Sequence, residues 1–235
     1  MKEIKKQHSS NYYDNSYVNS QNSVAFNNKE VYEKIFVPHC KESMTVLDFG
    51  AGAGVLLQSL RARKKIAVDI NLSALELAKA KGAHEVYPDL DSIELNSVDL
   101  IVSNSALEHV PNPREILVKL KAILKNDGRV IMRIPHETLG WNYKPGDWNY
   151  HLYTWSPMAI GNLFNDVGFS EIKVKIERSK TAPFNHFWRA VKLNNFMSTS
   201  YRIFRLILDE LNIKPIAVDG YSIVEAVKRG SDSHN

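Results

Sequence analysis

The stretch TVLDFGAGAG, residues 45 to 54, sets a β-branched apolar run directly against three glycines at alternate positions. TVLDF suits a buried strand and VLLQSLRARK suits a helix, so the glycines fall in a strand-to-helix turn. Working outward, KIAVDI predicts a second strand. Asn71 and Ser73 offer caps for the helix SALELAKAKG, which Gly82 is placed to end. HEVYP and VDLIVSN predict a third and a fourth strand. Asn112 and Pro113 open REILVKLKAILK, whose Ile116, Leu117, Leu120, Ile123 and Leu124 share one face, and Asn126, Asp127 and Gly128 are placed to stop it before the strand RVIMRIP. Ser156 and Pro157 then open MAIGNLFNDVG, closed by Gly168. In SEIKVKIE, Ile172, Val174 and Ile176 alternate with Lys173, Lys175 and Glu177, as in a strand with one wet face near a sheet edge. Strands alternating with helices predict a doubly wound α/β fold, a parallel sheet with helices on both faces.

The flanks are less regular. Residues 1–44 are expected to form an Asn-, Ser- and Tyr-rich arm followed by a helix near VYEKIFVPH, with the main domain spanning 45–235. Residues 178–217 predict a helical insertion before a last strand in YSIVEAVKR. Its apolar stripe, Ile203, Phe204, Ile207, Leu208 and Leu211, needs cover, and a lid over the mouth of a ligand site is the favoured arrangement. Dimer contacts or peripheral contact with an anionic membrane are the alternatives, so monomer and homodimer both stay open.

The chain has 235 residues, 44% hydrophobic and 24% charged, enough to bury one sizeable core. A net charge of +4 with scattered Lys and Arg does not demand nucleic acid. The single cysteine, Cys40, excludes an intrachain disulfide. With no apolar run long enough for a bilayer and no signal-peptide core in MKEIKKQHSSNYYDNS, a cytoplasmic protein is expected.

In an open α/β sheet, ligands sit beyond the carboxyl ends of the strands, where the strand order reverses. A dinucleotide fingerprint counted from Gly50 requires glycine at position 55, which is Val55. The spacing is instead D-x-G-x-G-x-G, with Asp48 at the strand end and Gly50, Gly52 and Gly54 behind it. Asp69 ends the next strand, where a carboxylate accepts both ribose hydroxyls of an adenosine. Asp89, after the third strand, suits an adenine amino group. Such a site takes an adenosine with a short charged tail rather than a pyrophosphate. S-adenosylmethionine fits, its carboxylate meeting N–H groups at the helix start and its ammonium group lying near Asp48.

Residues 45 to 175 resemble the class I S-adenosylmethionine-dependent methyltransferases, in particular the subgroup of ubiquinone-, biotin- and natural-product-pathway enzymes. VLDFGAGAG matches the glycine motif, IAVDI the ribose motif, and SNSALEHVPNPREILVKLKAILKNDGRVIMRIP the fourth and fifth strands with their helix. The resemblance implies a seven-stranded Rossmann-like sheet whose last strand is antiparallel and inserted beside the sixth. It also implies that Ile70, Leu90 and Asn104 join Asp48, Asp69, Asp89 and the glycines in holding the donor, released as S-adenosylhomocysteine.

On the acceptor side, PHETLGWNYKPGDWNYHLYTWS follows the fifth strand, a region that in related enzymes closes over the acceptor. It offers His136, Trp141, Tyr143, Trp148 and Tyr153 as walls, with His151 as the favoured catalytic base; the bland alternative is a loop anchored to the core by its aromatics. His109 is a further acceptor-side candidate, although in the family the Glu108–His109 pair more often supports the loop. No set of metal ligands stands out near the fourth and fifth strands, and none is required for transfer from a sulfonium. Methylation of a small-molecule acceptor is therefore expected, a sugar, lipid-linked compound or secondary metabolite modified on oxygen or nitrogen. An RNA methyltransferase is disfavoured because SNSA stands where an N/D-P-P-Y signature would, with no separate RNA-binding module. A non-catalytic protein retaining the donor pocket is the third alternative.

Overall fold

A computed structural model describes residues 29–137, 150–178 and 220–230, with a few isolated positions between them. The elements in chain order are α1 (Lys29–Ile35), β1 (Thr45–Phe49), α2 (Val55–Ser59), β2 (Lys64–Val68), α3 (Leu72–Ala80), β3 (Glu85–Tyr87), β4 (Val98–Asn104), α4 (Pro113–Ile123), β5 (Leu124–His136), α5 (Pro157–Asp166), β6 (Ser170–Arg178) and β7 (Gly220–Val227). They build one seven-stranded sheet in the order β3-β2-β1-β4-β5-β7-β6. β1 to β5 pair in parallel, whereas β7 lies antiparallel between β5 and β6. The order reverses between β1 and β4, which opens a crevice at their carboxyl ends.

Strand alternation divides the core into two layers. Val46, Ala67, Leu100, Val102 and Ile131 face α1, α2 and α3 through Tyr32, Phe36, Leu56, Leu57, Leu75 and Ala78. Leu47, Ile66, Ile101, Val130 and Met132 face α4 and α5 through Leu117, Leu120, Ile123, Ile160 and Phe164. Each large side chain buried in this way contributes about 1.5–3 kcal/mol of transfer free energy. The N-terminal helix therefore shares the core of the sheet.

Several local expectations are met and others are corrected. The Asn71 side chain caps α3 by accepting from the Ala74 N–H, with Ser73 inside the helix; Ser156 caps α5 through Ala159 N–H. Asn112 precedes α4 without a side-chain cap bond. The helix expected over VLLQSLRARK covers only Val55–Ser59, because the backbone turns extended at the buried Leu60. α4 ends at Ile123 rather than at Asn126–Gly128. Leu124 already pairs with Val98 of β4, and Asp127, at φ +60°, donates its N–H to the Lys228 carbonyl beyond β7. β6 is the edge strand that its alternation implies, although Ile176 is half exposed. The expected insertion at 178–217, the proposed lid included, and the arm before residue 29 lie largely outside the described residues. Among the described residues no helix is long and apolar enough to cross a membrane.

Candidate active site

The turn after β1 is built for close approach. Gly50 and Ala51 donate their N–H groups to the Val68 carbonyl, extending β1–β2 pairing past the strand end. Gly50, Gly52 and Gly54 have φ of +72°, +50° and +75°, a region that side chains disfavour. A Cβ on Gly50 would lie 2.3 Å from Ala106 Cβ, so the loop passes directly against the chain leaving β4.

Asp69, just beyond β2, holds this loop from the other side. Its carboxylate accepts from Gly52 N–H at 2.8 Å and from Asn71 N–H at 2.9 Å. A carboxylate has about four lone-pair sites, so two remain for a ribose diol. Asp48 is buried, and burial first, then the neighbouring charge of Asp69, pushes its carboxyl well above the usual range. Burial likewise raises Asp69, against the lowering effect of its two backbone bonds. Two adjacent acids, Asp48 buried and Asp69 half-buried, favour a cationic ligand, since a cation relieves both the desolvation and the repulsion.

These groups line a cavity of about 440 Å³. Asp48, Gly50, Gly52, Asp69, Ile70, Asp89, Leu90 and Asn104 all border it, whereas Gly54 sits just behind at the start of α2. Asp89 is exposed and accepts from Asp91 N–H, a local turn bond that leaves its other oxygen toward solvent and cavity. The Asn104 side-chain oxygen accepts from Arg133 Nη1 at 3.1 Å. Arg133, itself buried, donates through Nε to Glu177 at 2.6 Å and lies over the Tyr221 ring, tying β4, β5, β6 and β7 together under the site. Tyr32 of α1 also borders the cavity. Nothing in the short pattern KEVYEKI marks that tyrosine beyond its apolar helix face.

The chain leaving β4 adds a further stretch of wall, Ser105, Ala106, His109, Val110 and Pro111. Behind it the segment from Tyr150 folds back: Leu152 and Tyr153 donate N–H groups to the Glu108 carbonyl, and Glu137 donates its N–H to Thr154 Oγ1. Tyr153 stacks on Trp155 and donates its hydroxyl to the Pro111 carbonyl, which makes it an anchor of this segment rather than a cavity wall. His151 packs edge-on against His109 with centroids 5.0 Å apart, and its Nδ1 pairs with Glu137 Oε1 at 2.7 Å. It therefore stands behind His109, not on the wall. His136 ends β5 away from the cavity, and Tyr143 is almost fully exposed. Trp141 and Trp148 lie outside the described residues.

Glu108 is fully buried, neither carboxylate oxygen has a hydrogen-bond partner, and burial raises its carboxyl to about 8. Ligand atoms of Glu108, His109 and His151 all lie within 4.8 Å of one another. The sequence shows no such grouping, because His151 reaches it only through the fold-back.

The fold and the acid-and-glycine crevice define a class of nucleoside-binding α/β proteins, and comparison narrows it. A family model described as a methyltransferase domain matches residues 26–174. The chain belongs to this family, within the class I S-adenosylmethionine-dependent methyltransferase superfamily. It is 26% identical over 171 residues to the mitochondrial ubiquinone biosynthesis O-methyltransferase of Schizosaccharomyces pombe, covering 68% of this chain and 55% of that protein. It is 28% identical over 109 residues to the ubiquinone biosynthesis O-methyltransferase of Haemophilus ducreyi, covering 40% of this chain and 46% of the relative. The chain thus spans about half the length of these curated relatives. The solved phosphoethanolamine N-methyltransferase 2 of Haemonchus contortus, in complex with S-adenosyl-L-methionine, shares the fold at a TM-score of 0.63 and 15% identity, over 96% of this chain and 59% of that one. The family's cofactor is S-adenosylmethionine. The crevice offers chemistry that such a donor can use: side-chain-free backbone at the β1 turn, the buried acid Asp48, and unfilled acceptor positions on the half-buried Asp69.

Proposed function

We propose that the chain transfers the methyl group of S-adenosylmethionine to a small-molecule acceptor. The observation that carries this is one cavity lined both by Asp69 and the glycine turn and by the stretch after β4 that holds His109. In the proposed arrangement the donor's methionine tail lies on the Gly50–Gly54 turn near Asp48. Its ribose meets Asp69, and its adenine lies between Ile70, Asp89 and Leu90. The methyl group then points past Asn104 toward His109.

Transfer is an in-line displacement. The acceptor oxygen or nitrogen bonds to the methyl carbon while the carbon–sulfur bond breaks, its electron pair staying on sulfur in S-adenosylhomocysteine. Holding the three atoms collinear supplies most of the acceleration. The relatives named for O-methylation in ubiquinone biosynthesis favour oxygen as the acceptor atom. A cavity of this volume, walled by Val110, Pro111 and Ile116, suits a small molecule better than a nucleic-acid chain.

The test is formation of S-adenosylhomocysteine by the purified chain in a metabolite extract and, separately, in an RNA fraction. Product from the extract is expected. Product only from RNA would overturn the small-molecule acceptor, and donor binding without product from either would support a non-catalytic role.

A further inference from the structure

We propose that Arg133 is a positioning residue that holds the Asn104 side-chain amide with its NH2 group toward the cavity, and that this NH2 selects methyl acceptors that react through oxygen over those that react through nitrogen. The inference rests on the methyl-transfer reading and on the donor placement given above.

Three observations converge. First, Asn104 is half-buried and borders the cavity at the carboxyl end of β4, where the donor placement carries the methyl group past it. Its Oδ1 accepts from Arg133 Nη1 at 3.1 Å. A guanidinium carries only N–H donors, so it faces the amide oxygen and not the NH2 group, which fixes which way the amide points. Second, Arg133 is itself held in place. It is 4% exposed, its Nε donates to Glu177 Oε2 at 2.6 Å, and its guanidinium carbon lies 3.2 Å from the centre of the Tyr221 ring. Its carbonyl also accepts the Ser105 N–H at 2.9 Å, so the backbone next to Asn104 is tied to the same residue. Third, among the described residues the Asn104 NH2 group donates to nothing, although the residue stands on a cavity wall.

The two kinds of nucleophile meet this wall differently. A hydroxyl oxygen has two lone pairs, so it accepts from Asn104 through one while the other forms the bond to the methyl carbon. The carbon–sulfur bond breaks with its electron pair left on sulfur, and the hydroxyl proton passes to water. A neutral amine has a single lone pair, which the methyl carbon takes, and its N–H groups face those of Asn104. Polar groups on both sides are then left unpaired, the penalty that a site built for hydrogen bonding imposes on the wrong partner. With the amide reversed, Oδ1 would accept from the amine and the preference would invert. Arg133 therefore sets the choice of atom without touching either ligand. Its charge is matched by Glu177, so it adds no net repulsion toward a cationic donor.

The test supplies the purified full chain with a metabolite extract and S-adenosylmethionine labelled in its methyl carbon, and reads the product by NMR, in which O-methyl and N-methyl carbons resonate apart. O-methyl product is expected. A second arm needs no turnover: phenol and aniline, similar in size and both neutral near neutral pH, are titrated into the S-adenosylhomocysteine-loaded chain. Wild type should hold phenol at least about fivefold more tightly than aniline. Asn104→Asp keeps the bond from Arg133 but turns an oxygen to the cavity. It should erase or reverse that preference and lower O-methyl formation at least about tenfold, with S-adenosylmethionine affinity undiminished. Arg133→Met/Glu177→Gln removes both charges together, frees the amide to turn and should bring the two probes close to equal affinity. Arg133→Lys retains one charged donor and should keep part of the preference. An Arg133 that only supports the fold would lower stability and the binding of both probes without moving their ratio, which would overturn the positioning role. Circular dichroism checks the fold of each variant; if the double variant does not fold, Asn104→Asp and Arg133→Lys decide the matter. N-methyl product from wild type, or the same phenol-to-aniline ratio in wild type and Asn104→Asp, would also overturn the inference. A phenol preference that Asn104→Asp abolishes, in a chain that transfers no label, would support the selective wall and overturn the methyl-transfer reading instead.

Discussion

Replacing Gly50 with alanine would put a methyl carbon 2.3 Å from Ala106 Cβ at a backbone φ of +72°. Two costs add: about 1–2 kcal/mol for holding an L-residue in the left-handed region, and about 1–3 kcal/mol for forcing the β1 turn away from the chain after β4. Gly52, two residues on, has φ +50° but nothing within 4 Å of the added carbon, so Gly52→Ala carries only the first cost. Equilibrium urea unfolding of the donor-free proteins should therefore show Gly50→Ala less stable by roughly 2–5 kcal/mol and Gly52→Ala by roughly 1–2 kcal/mol. Ala106→Gly in the Gly50→Ala background removes the clash but not the strain, and should recover the difference between them. Equal losses at the two glycines, or no recovery in the double variant, would refute the steric account of this turn.

Asp69→Asn keeps one acceptor for the loop but turns an NH2 toward a backbone N–H, losing charge-assisted bonds of about 1.5–3 kcal/mol, and donor affinity by calorimetry should fall at least about tenfold. Asp48, with its carboxyl raised by burial and by Asp69, favours the donor-free fold below the unfolded value of 3.8, and that contribution is lost as pH rises through the raised folded value. Donor-free stability should accordingly fall with rising pH across that window while donor affinity climbs, because a cation binds the ionised acid; Asp48→Asn should flatten both profiles, and an unchanged affinity profile would detach Asp48 from the donor. Tyr153→Phe removes the bond to the Pro111 carbonyl but keeps the stack on Trp155. It should cost about 0.5–1.5 kcal/mol in thermal unfolding with donor affinity unchanged, and a large loss of turnover without loss of stability would return Tyr153 to the acceptor wall.

The lining of the crevice beside the β1 turn was legible because it depends on local chemistry. β-branched runs leading to Asp48 and Asp69, and glycines where side chains would collide, carry their meaning within a few residues. The wall beyond β4 depends on long-range return of the chain. His151 acquires a role only when Leu152 and Tyr153 bond to the Glu108 carbonyl, more than forty positions upstream, and Glu137 only when His151 arrives. Tyr32 reaches the cavity because α1 packs across the sheet, a placement that no periodicity announces. The end of α4 was misplaced for a related reason. Asn126–Gly128 lie inside β5, at a register irregularity where Asp127 has φ +60°, so strand pairing from Leu124 overrides their helix-stopping signal.

The antiparallel β7, wedged between β5 and β6, has a consequence for the order in which the protein is made. Residues 45–136 contain every strand of the donor crevice and emerge from the ribosome first, able to pair among themselves as they appear. β6 emerges later with no neighbour, since its partner is β7, some forty residues further along. Until Val227 has been synthesised, both β5 and β6 present bare backbone edges, the type of surface on which nascent chains pair with one another. A chain interrupted before Gly220 would carry the glycine turn on a sheet whose β5 and β6 edges lack their β7 partner, and would be prone to join its neighbours.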